Sequence, residues 1–280
     1  MGTINIKNVN VEYNENGRIF KALQNVSFTI NDGEFVSVIG PSGCGKSTFL
    51  SALEGILPIS GGHILIDGNE ITGPGLDRGV VFQHYSLFPW LSAKKNIVFG
   101  IKQTNKDLDK KVINKIAEEY LAKVGLAKFG SKYPSQLSGG MQQRVAIART
   151  LAMNTDILLM DEPFGAIDPK NRVNLQELLL KLWDEGTDGK GTKKKTVVFV
   201  THDIDEAIFL SDKIIMMAPN PGHVLKEVPV TFERPRNRQE LFQTKSYTDL
   251  RNELMDLFYQ GEALNEVAGE EVSNEDSWVI

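Results

Sequence analysis

The sequence has almost no cysteine and no long apolar run. Cys44 is the only cysteine among 280 residues, so an internal disulfide and a cysteine-based metal site are both excluded. The longest apolar runs, such as 157–160 and 214–218, are short, whereas a membrane-spanning helix needs roughly 20 residues. Residues 1–6 do not join a basic stretch to an apolar one, so no secretion signal is expected. Any membrane association is therefore expected to be peripheral and to use a partner.

A large charge excess of one sign is also missing. The chain contains 31 Lys and Arg against 36 Asp and Glu, for a net charge of −5. Six of the acids lie within residues 261–280, which contain no basic residue, so the rest of the chain is close to neutral. A near-neutral body lacks the basic surface of a nucleic-acid-binding protein. The 41% of hydrophobic residues is enough for a folded core and excludes disorder as the main state.

Segments with strand-like composition alternate with segments of helical periodicity. This alternation predicts an α/β fold with a parallel sheet. The helical stretch from about 93 to 153, with loops at 100–107 and 125–137, is long enough to form a separate lobe inserted into that sheet. The predicted strands are 4–11, 26–30, 35–39, 63–67, 78–83, 157–161 and 197–201, and the other predicted helices are 48–56, 169–185 and 237–260.

A glycine-rich loop follows the predicted buried strand at 35–39. Residues 40–47 read Gly-Pro-Ser-Gly-Cys-Gly-Lys-Ser and precede a predicted helix, which is the context of a phosphate-binding loop. Glycines let backbone N–H groups curl around a polyphosphate, and the helix N-terminus adds a positive dipole end. Lys46 is expected to neutralise phosphate oxygens and Ser47 to bind Mg²⁺. The candidate nucleotide ligands are Gly40, Pro41, Ser42, Gly43, Cys44, Gly45, Lys46, Ser47 and Thr48, with Cys44 included by position only.

Acidic and polar residues end three other predicted strands. Asp161 and Glu162 follow four apolar residues, so at the carboxyl edge of the sheet Asp161 can hold Mg²⁺ and Glu162 can polarise the attacking water. Gln83 can bind Mg²⁺ or orient water without titrating. His202 is placed to touch the γ-phosphate. The predicted catalytic residues are Lys46, Gln83, Glu162 and His202, and the predicted Mg²⁺ ligands are Ser47, Gln83 and Asp161.

A second anion-binding helix start lies in the helical stretch. Residues 137–144 read Leu-Ser-Gly-Gly-Met-Gln-Gln-Arg, so Ser138, Gly139 and Gly140 lead directly into a helix. One chain needs only one triphosphate cradle. A second cradle in a different lobe therefore suggests that two chains face each other and that each offers this segment to the other's nucleotide.

In combination and order, these motifs resemble the ATP-binding subunit of an ABC transporter over about residues 4–229. The resemblance implies a P-loop NTPase core with a parallel sheet, an N-terminal antiparallel β subdomain and an inserted α-helical subdomain. The implied ATPase domain is 1–230, with the helical subdomain at about 88–155. Beyond it, periodicity predicts a helical extension at 231–260, and composition predicts an acidic, flexible tail at 261–280, which matches no part of the family pattern. The motifs that carry the resemblance are 40–47, Gln83, 137–143, Asp161-Glu162, 165–168 and His202.

The family holds two ATP molecules between two subunits, and this implies further site residues. Ser138 and Gly140 would contact the γ-phosphate of the partner chain's ATP, and Asp168 would link the two sites across the dimer. The family's adenine-stacking aromatic residue precedes the phosphate loop, where Tyr13 matches it best and Phe20 is the competing candidate. The implied cofactors are ATP and Mg²⁺.

Within the family the chain resembles bacterial importers, notably those for nitrate, sulfonate, taurine and bicarbonate. The similarity lies in residues 73–83, 88–91 and 161–166. It implies three partners, namely an identical or similar ATPase subunit, integral membrane permease subunits and, indirectly, a solute-binding protein. No nucleic acid is expected. The implied location is the cytoplasmic face of the bacterial inner membrane, as a peripheral subunit whose partners determine solute specificity.

Several interpretations stay open. The family docks its membrane subunit near residues 88–90, although ordinary packing of the helical lobe is the competing interpretation. Ile167 replaces the family's usual Leu. The segment 186–195 is longer than expected and reads as a solvated turn or, less favourably, a basic patch. The acidic tail could be a regulatory module. The competing functions are a soluble ABC ATPase that acts on nucleic acid and the ATPase of an exporter.

Overall fold

The computed structural model describes residues 2–15, 17–83, 86–165, 167–186 and 193–275. The chain divides into two compact units. The middle unit comprises residues 75–198, and the terminal unit combines residues 2–74 with the chain from Phe199 onward.

Strands and helices alternate along most of the chain. In chain order the strands are β1 Ile4–Glu15, β2 Arg18–Ile30, β3 Phe35–Ile39, β4 Gly61–Ile66, β5 Asn69–Glu70, β6 Arg78–Val81, β7 Ile157–Asp161, β8 Thr196–Val200, β9 Lys213–Ala218 and β10 His223–Pro229. The helices are α1 Lys46–Glu54, α2 Ala93–Thr104, α3 Lys110–Lys123, α4 Gly139–Ala152, α5 Pro169–Asp184, α6 Ile204–Leu210, α7 Arg238–Leu241 and α8 Lys245–Glu275. Short 3₁₀ turns lie at Ala127–Phe129 and Pro134–Gln136.

An antiparallel sheet forms the N-terminal part of the terminal unit. Its strand order is β2-β1-β4-β5. Ile4 of β1 stands opposite Ile30 of β2 on one side and Ile66 of β4 on the other, and all three side chains are buried. The predicted N-terminal antiparallel β subdomain is therefore confirmed.

Strands β3, β9 and β10 of the terminal unit belong to a second sheet, and β3 leads into the glycine-rich loop. All five residues of β3 are buried, and β3 is flanked by β9, to which it is parallel, and by the end of β8. β10 pairs with β9 in the antiparallel sense. α6 packs on β3, while α8 packs on β9 and on α6. The loop therefore leaves a strand that is fixed from both sides.

Three helices build the apolar core of the middle unit. α2, α3 and α4 pack on one another, and Ser92 and Asp109 cap the first two by accepting backbone hydrogen bonds from Lys95 and Lys111. The buried residues of this core are Ala93, Ile97, Ile101, Ile113, Ala117, Leu121, Val124, Leu126, Leu137, Val145, Ala148 and Ala152.

The middle unit also contains parallel strands. β6 and β7 are parallel, with Val81 opposite Met160, and β8 is the other neighbour of β7. α5 follows β7 and has Pro169 in its first turn, where a missing N–H costs no helical hydrogen bond. The alternation of these elements confirms the α/β fold class.

The structure departs from the predicted elements at several places. β9, β10 and α6 were not predicted, and β10 makes the sheet mixed. α2 continues to Thr104 through the first part of the predicted loop, and the predicted final helix is two helices, α7 and α8. α8 reaches Glu275, so the predicted tail is helical over 261–275, while 276–280 lie outside the described residues. The middle unit contains the helices of the predicted helical subdomain together with β6, β7 and α5, and the predicted domain boundaries stay predictions. In the segment 186–195, residues 187–192 also lie outside the described residues.

Candidate functional site

The glycine-rich loop joins β3 to α1 in the terminal unit. Ser42, Gly43 and Ser47 are exposed, whereas Pro41 and Cys44 are buried. The loop therefore presents its backbone to solvent while Pro41 and Cys44 fix it from behind. Gly40 and Gly45 lie at the two ends of the exposed stretch. Thr48, in the first turn of α1, is half-buried.

Gly45 is the N-terminal cap of α1 and has a left-handed backbone conformation, with φ 89°. A Cβ atom at this position would lie 2.5 Å from Cδ2 of Leu23, so any larger residue would collide with the strand behind the loop. No side chain caps the helix at this position. The first N–H groups of α1 are therefore left for an anion, which is the arrangement that a polyphosphate requires.

Lys46 is buried, and its ammonium group turns back onto the loop. Nζ donates hydrogen bonds to the carbonyl oxygens of Gly40 at 2.7 Å and Pro41 at 3.0 Å. It also lies 3.7 Å from Sγ of Cys44. Burial raises the pKa of the Cys44 thiol, and the nearby Lys46 charge only partly opposes this, so the thiol stays protonated near neutral pH. A redox role for Cys44 gains no support from this environment.

His202 lies just after the end of β8, and the end of β8 neighbours β3, the strand that precedes the glycine-rich loop. The preceding residue, Thr201, donates its backbone N–H to the carbonyl oxygen of Val38 at 3.2 Å, and Val38 stands two residues before Gly40. Thr201 is buried and His202 is exposed. Within the terminal unit, the fold thus brings His202 to the same part of the sheet as the glycine-rich loop.

The two adenine-stacking candidates are cross-strand neighbours. Tyr13 of β1 stands opposite Phe20 of β2 in the antiparallel ladder. Directly opposed side chains in such a pair lie on the same face of the sheet. Tyr13 is 36% exposed and Phe20 is 60% exposed, so this hairpin face offers two adjacent aromatic rings.

In the middle unit, the polar ends of β6 and β7 meet at one edge. Because β6 and β7 are parallel and Val81 stands opposite Met160, Gln83 and Glu162 each follow two residues later. Gln83 is exposed, whereas Asp161 and Glu162 are half-buried. The pairing therefore places the end of β6, which precedes Gln83, beside the end of β7, which precedes Glu162.

Glu162 has an unusual backbone conformation that the sequence did not reveal. Its φ of 40° lies in the left-handed region, which is uncommon for a residue with a long side chain. The N–H of Gly165 donates to the carbonyl oxygen of Glu162 at 3.1 Å, which closes a tight turn after β7. Such conformations cost free energy, persist only when the surroundings impose them, and cluster at functional sites.

The two remaining predicted segments of the middle unit are helix caps. Ser138 is exposed, and its hydroxyl accepts the backbone N–H of Met141 at 3.3 Å, so α4 begins at Gly139 and Gly140. Asp168 caps α5 by accepting from the backbone and side-chain nitrogens of Asn171, at 3.1 and 2.8 Å. These hydrogen bonds from Asn171 lower the pKa of the exposed Asp168 carboxyl group, which therefore stays ionised.

No helix in the described part of the chain combines the length and the apolar composition needed to cross a membrane. The profile of one protein family, described as ABC transporter, matches residues 23–165. The match begins in β2 and ends after β7, so it includes the glycine-rich loop, the cap of α4 and the Asp161–Glu162 pair.

Several curated proteins are similar over most of this chain. The bicarbonate transport ATP-binding protein CmpD of Synechocystis sp. is 41% identical over 266 residues, which cover 95% of this chain and 92% of that protein. The nitrate import ATP-binding protein NrtD of Synechococcus elongatus is 43% identical over 242 residues, which cover 86% of each chain. An uncharacterized ABC transporter ATP-binding protein of Methanocaldococcus jannaschii is 45% identical over 85% of this chain and 86% of that protein.

A solved structure supports the same relationship. The dimeric structure of MJ0796, described as a bacterial ABC transporter cassette, matches with a TM-score of 0.71 at 38% identity and covers 82% of this chain and 100% of that chain. The same cassette in a post-hydrolysis dimer bound to ADP and Pi matches with a TM-score of 0.69.

Proposed function

This chain belongs to the ABC transporter ATP-binding family, and from this premise we propose that it powers a bacterial importer of a small anionic solute. Relatives that are 41% and 43% identical are named as bicarbonate transport and nitrate import ATP-binding proteins. The solute class that we propose is nitrate, bicarbonate or an organic sulfonate such as taurine. The relatives do not favour the exporter or the nucleic-acid alternative. We propose that the chain works on the cytoplasmic face of the inner membrane as a peripheral subunit.

The glycine-rich loop carries the ATP-binding part of the proposal. Gly45 leaves the start of α1 uncapped, and its left-handed φ together with its close approach to Leu23 favours a glycine there. Backbone N–H groups of this loop would bind the phosphates, and Lys46 would exchange its carbonyl partners for phosphate oxygens. The exposed ring of Tyr13, or of Phe20 beside it, would stack on the adenine.

Gln83, Asp161 and Glu162 of the middle unit, together with Ser47 and His202 of the terminal unit, are the groups that we propose for hydrolysis. Hydroxyl, amide and carboxylate oxygens are suitable ligands for Mg²⁺, so Ser47, Gln83 and Asp161 would hold it, and it would neutralise charge on the phosphate oxygens. Glu162 would accept a proton from the attacking water as general base. His202 would donate a hydrogen bond to the γ-phosphate.

A second ATPase subunit would complete each site. The matched cassette structures are dimeric, and one contains ADP and Pi. Ser138 and Gly140 begin α4, a helix of 14 residues, so its N-terminal N–H groups would attract the triphosphate bound to the partner. Asp168 would connect the two sites. ATP binding would then close the dimer, and hydrolysis would reopen it.

The middle unit also offers a surface for a permease. A cleft of about 550 Å³ is lined by apolar side chains of Leu91, Val98 and Phe99 and by the basic Lys95 and Lys102. Beside it, Trp90 is 69% exposed, although its ring lies 5.5 Å from that of Phe88. Large exposed apolar groups of this kind mark protein-binding surfaces. We assign this cleft to the membrane subunit of the transporter.

The transport proposal is tested by uptake. The chain is produced together with candidate permease and solute-binding proteins from its own organism, and vesicles are loaded with ATP and Mg²⁺. We expect labelled nitrate, bicarbonate or taurine to accumulate with the wild-type chain and not with Lys46→Ala. ATP-dependent loss of solute from the vesicles would indicate an exporter, and ATPase activity stimulated by DNA or RNA in the absence of permease would indicate the nucleic-acid alternative.

The docking surface has its own test. Trp90→Ala should lower co-purification of the permease roughly tenfold, because buried aromatic anchors dominate interfaces, while ATP binding by the free subunit stays unchanged. Ile19→Ala is a matched control, because Ile19 is 65% exposed but lies in the terminal unit. Equal loss of permease in both variants would place the docking site elsewhere.

A further inference from the structure

A closed set of hydrogen bonds fixes the backbone on both sides of His202. The Thr201 hydroxyl donates to Oε2 of Glu206 at 2.5 Å and accepts the backbone N–H of Asp203 at 3.1 Å. Oδ1 of Asp203 in turn accepts the backbone N–H of Glu206 at 3.0 Å. The side chains of Thr201, Asp203 and Glu206 therefore form a hydrogen-bonded ring, which includes the residues immediately before and after His202.

The ring is a capping box with an additional hydroxyl group. Asp203 is the cap of α6 and Glu206 is the third helical residue, which is the Asp-x-x-Glu spacing of a capping box. In the ordinary motif, the Glu carboxylate accepts the N–H of the cap residue directly. Here the Thr201 hydroxyl takes that N–H and passes a hydrogen bond on to Glu206. The motif thus includes the residue before His202 as well as the residue after it.

The burial of this ring exceeds what capping a short helix requires. Glu206 is 4% exposed and Thr201 is 2% exposed, whereas His202 between them in the chain is exposed. Burying a carboxylate is costly unless hydrogen bonds compensate it, and α6 has only seven residues to stabilise. Asp203 alone would cap such a helix. The additional buried groups, Thr201 and Glu206, are explained if they hold the backbone that carries the exposed His202 side chain in one conformation.

The ring is also tied to the strand of the phosphate loop. Thr201 donates its backbone N–H to Val38, and β3 ends at Ile39, next to Gly40. The backbone hydrogen bond between Thr201 and Val38 therefore fixes the position of the His202 backbone relative to the loop, which begins two residues after Val38. We propose that Thr201 and Glu206 are positioning residues that hold His202 toward the γ-phosphate. This inference rests on the proposed function.

The test uses ATPase kinetics of the full chain. Thr201→Val removes the hydroxyl with little change in shape, Thr201→Ser restores it, and Glu206→Gln keeps an acceptor without the charge. We expect Thr201→Val to lower kcat roughly tenfold with little change in KM, since a hydrogen bond to a charged group is lost. Thr201→Ser should stay close to wild type, and Glu206→Gln should lie between them. If Thr201→Val does not fold, the kcat of Glu206→Gln is compared with that of Thr201→Ser, and Glu206→Gln should have the lower value.

A double-mutant cycle with His202→Ala separates positioning from general stabilisation. If Thr201 acts through His202, Thr201→Val should cause no further loss of kcat in the His202→Ala background, and the same is expected for Glu206→Gln. Equal losses in both backgrounds would overturn the inference, as would a wild-type kcat for Thr201→Val. If His202→Ala itself kept the wild-type kcat, the proposed role of His202 would fail instead, so the two failures are distinguishable.

Discussion

The ammonium group of Lys46 donates a hydrogen bond to the carbonyl oxygen of Gly40, six residues earlier, over 2.7 Å. A second bond joins it to the carbonyl oxygen of Pro41. These two acceptors compensate the burial of the charge and close the loop on itself. We therefore propose that nucleotide binding replaces the carbonyl oxygens with phosphate oxygens, which form stronger charge-assisted hydrogen bonds.

Replacing Lys46 with Ala should weaken ATP binding at least tenfold, because a hydrogen bond between charged groups contributes about 1.5–3 kcal/mol. Binding is measured by titration calorimetry on the purified chain. Lys21→Ala is the control, because Lys21 is exposed on β2 and should leave the affinity unchanged. An unaltered Kd in Lys46→Ala would show that the loop does not hold the phosphates.

Two glycines of the loop provide a matched pair for stability. Gly43 and Gly45 have similar φ values of 80° and 89°, but a Cβ atom at Gly43 meets nothing within 4 Å, whereas one at Gly45 meets Leu23. Gly43→Ala should cost only the backbone strain of about 1 kcal/mol, and Gly45→Ala roughly 1–3 kcal/mol more. Urea unfolding measures both. Equal losses would mean that Leu23 yields without cost.

The local part of the site could be predicted from the sequence, because a short pattern determines it. The loop at 40–47 lies between a buried strand and a helix, and Asp161 ends a strand, as expected. The Thr201–Glu206 hydrogen bond could be found only in the structure, and the Asp-x-x-Glu spacing at 203–206 is a capping-box signal that our sequence analysis missed. A signal for the left-handed φ of Glu162 is missing from the sequence.

The helix boundaries were harder to predict because a glycine can either end a helix or sit inside one where another element packs closely. The predicted loop begins at Gly100, yet a Cβ there would lie 2.8 Å from Cγ of Arg149, so this glycine lets α2 pack closely on α4. The predicted tail begins at Gly261, where the same argument applies to α8 and Pro41. Sequence alone does not distinguish a glycine that ends a helix from one that permits close approach.

Glu162→Gln should keep ATP binding and slow hydrolysis by roughly 10²–10⁴, the usual contribution of a general base. The ATP-bound dimer should then accumulate, because reopening needs hydrolysis. Single-turnover kinetics and size-exclusion chromatography with ATP and Mg²⁺ test this. Glu177→Gln, an exposed change on α5, should behave as wild type. Hydrolysis at the wild-type rate in Glu162→Gln would place the base elsewhere.

Lys195 makes the free energy of unfolding depend on pH. Its side chain is 6% exposed, and Nζ donates to the carbonyl oxygen of Thr155. Burial lowers the pKa of Lys195 from 10.5 to about 8, although the nearby Asp156 opposes the shift. Below pH 8 the folded chain must hold a buried charge. Between pH 8 and 10.5 the unfolded state binds more protons, so this group makes stability rise with pH.

Lys195→Met should remove that rise. Relative to the variant, wild type should gain about 2 kcal/mol of unfolding free energy between pH 7 and 9.5, because the folded ammonium group loses its proton in that window. Urea unfolding at both pH values measures the difference, and the titration of Cys44 is common to both proteins. Lys128→Met is the control, since Lys128 is exposed in the same unit and does not contribute to the shift at Lys195. Parallel curves for wild type and Lys195→Met would contradict the assignment.

The predicted acidic tail starts where α8 touches the phosphate loop. A Cβ atom at Gly261, which is buried, would lie 3.3 Å from Cγ of Pro41. Gly261→Leu should therefore displace Pro41 and weaken ATP binding roughly fivefold or more, because overpacking costs about 1–3 kcal/mol. Ala263→Leu, an exposed change on the same helix, is the matched control and should leave the Kd for ATP unchanged. A lower Tm with unchanged ATP affinity in Gly261→Leu would limit the contact to stability and leave the tail without influence on the nucleotide.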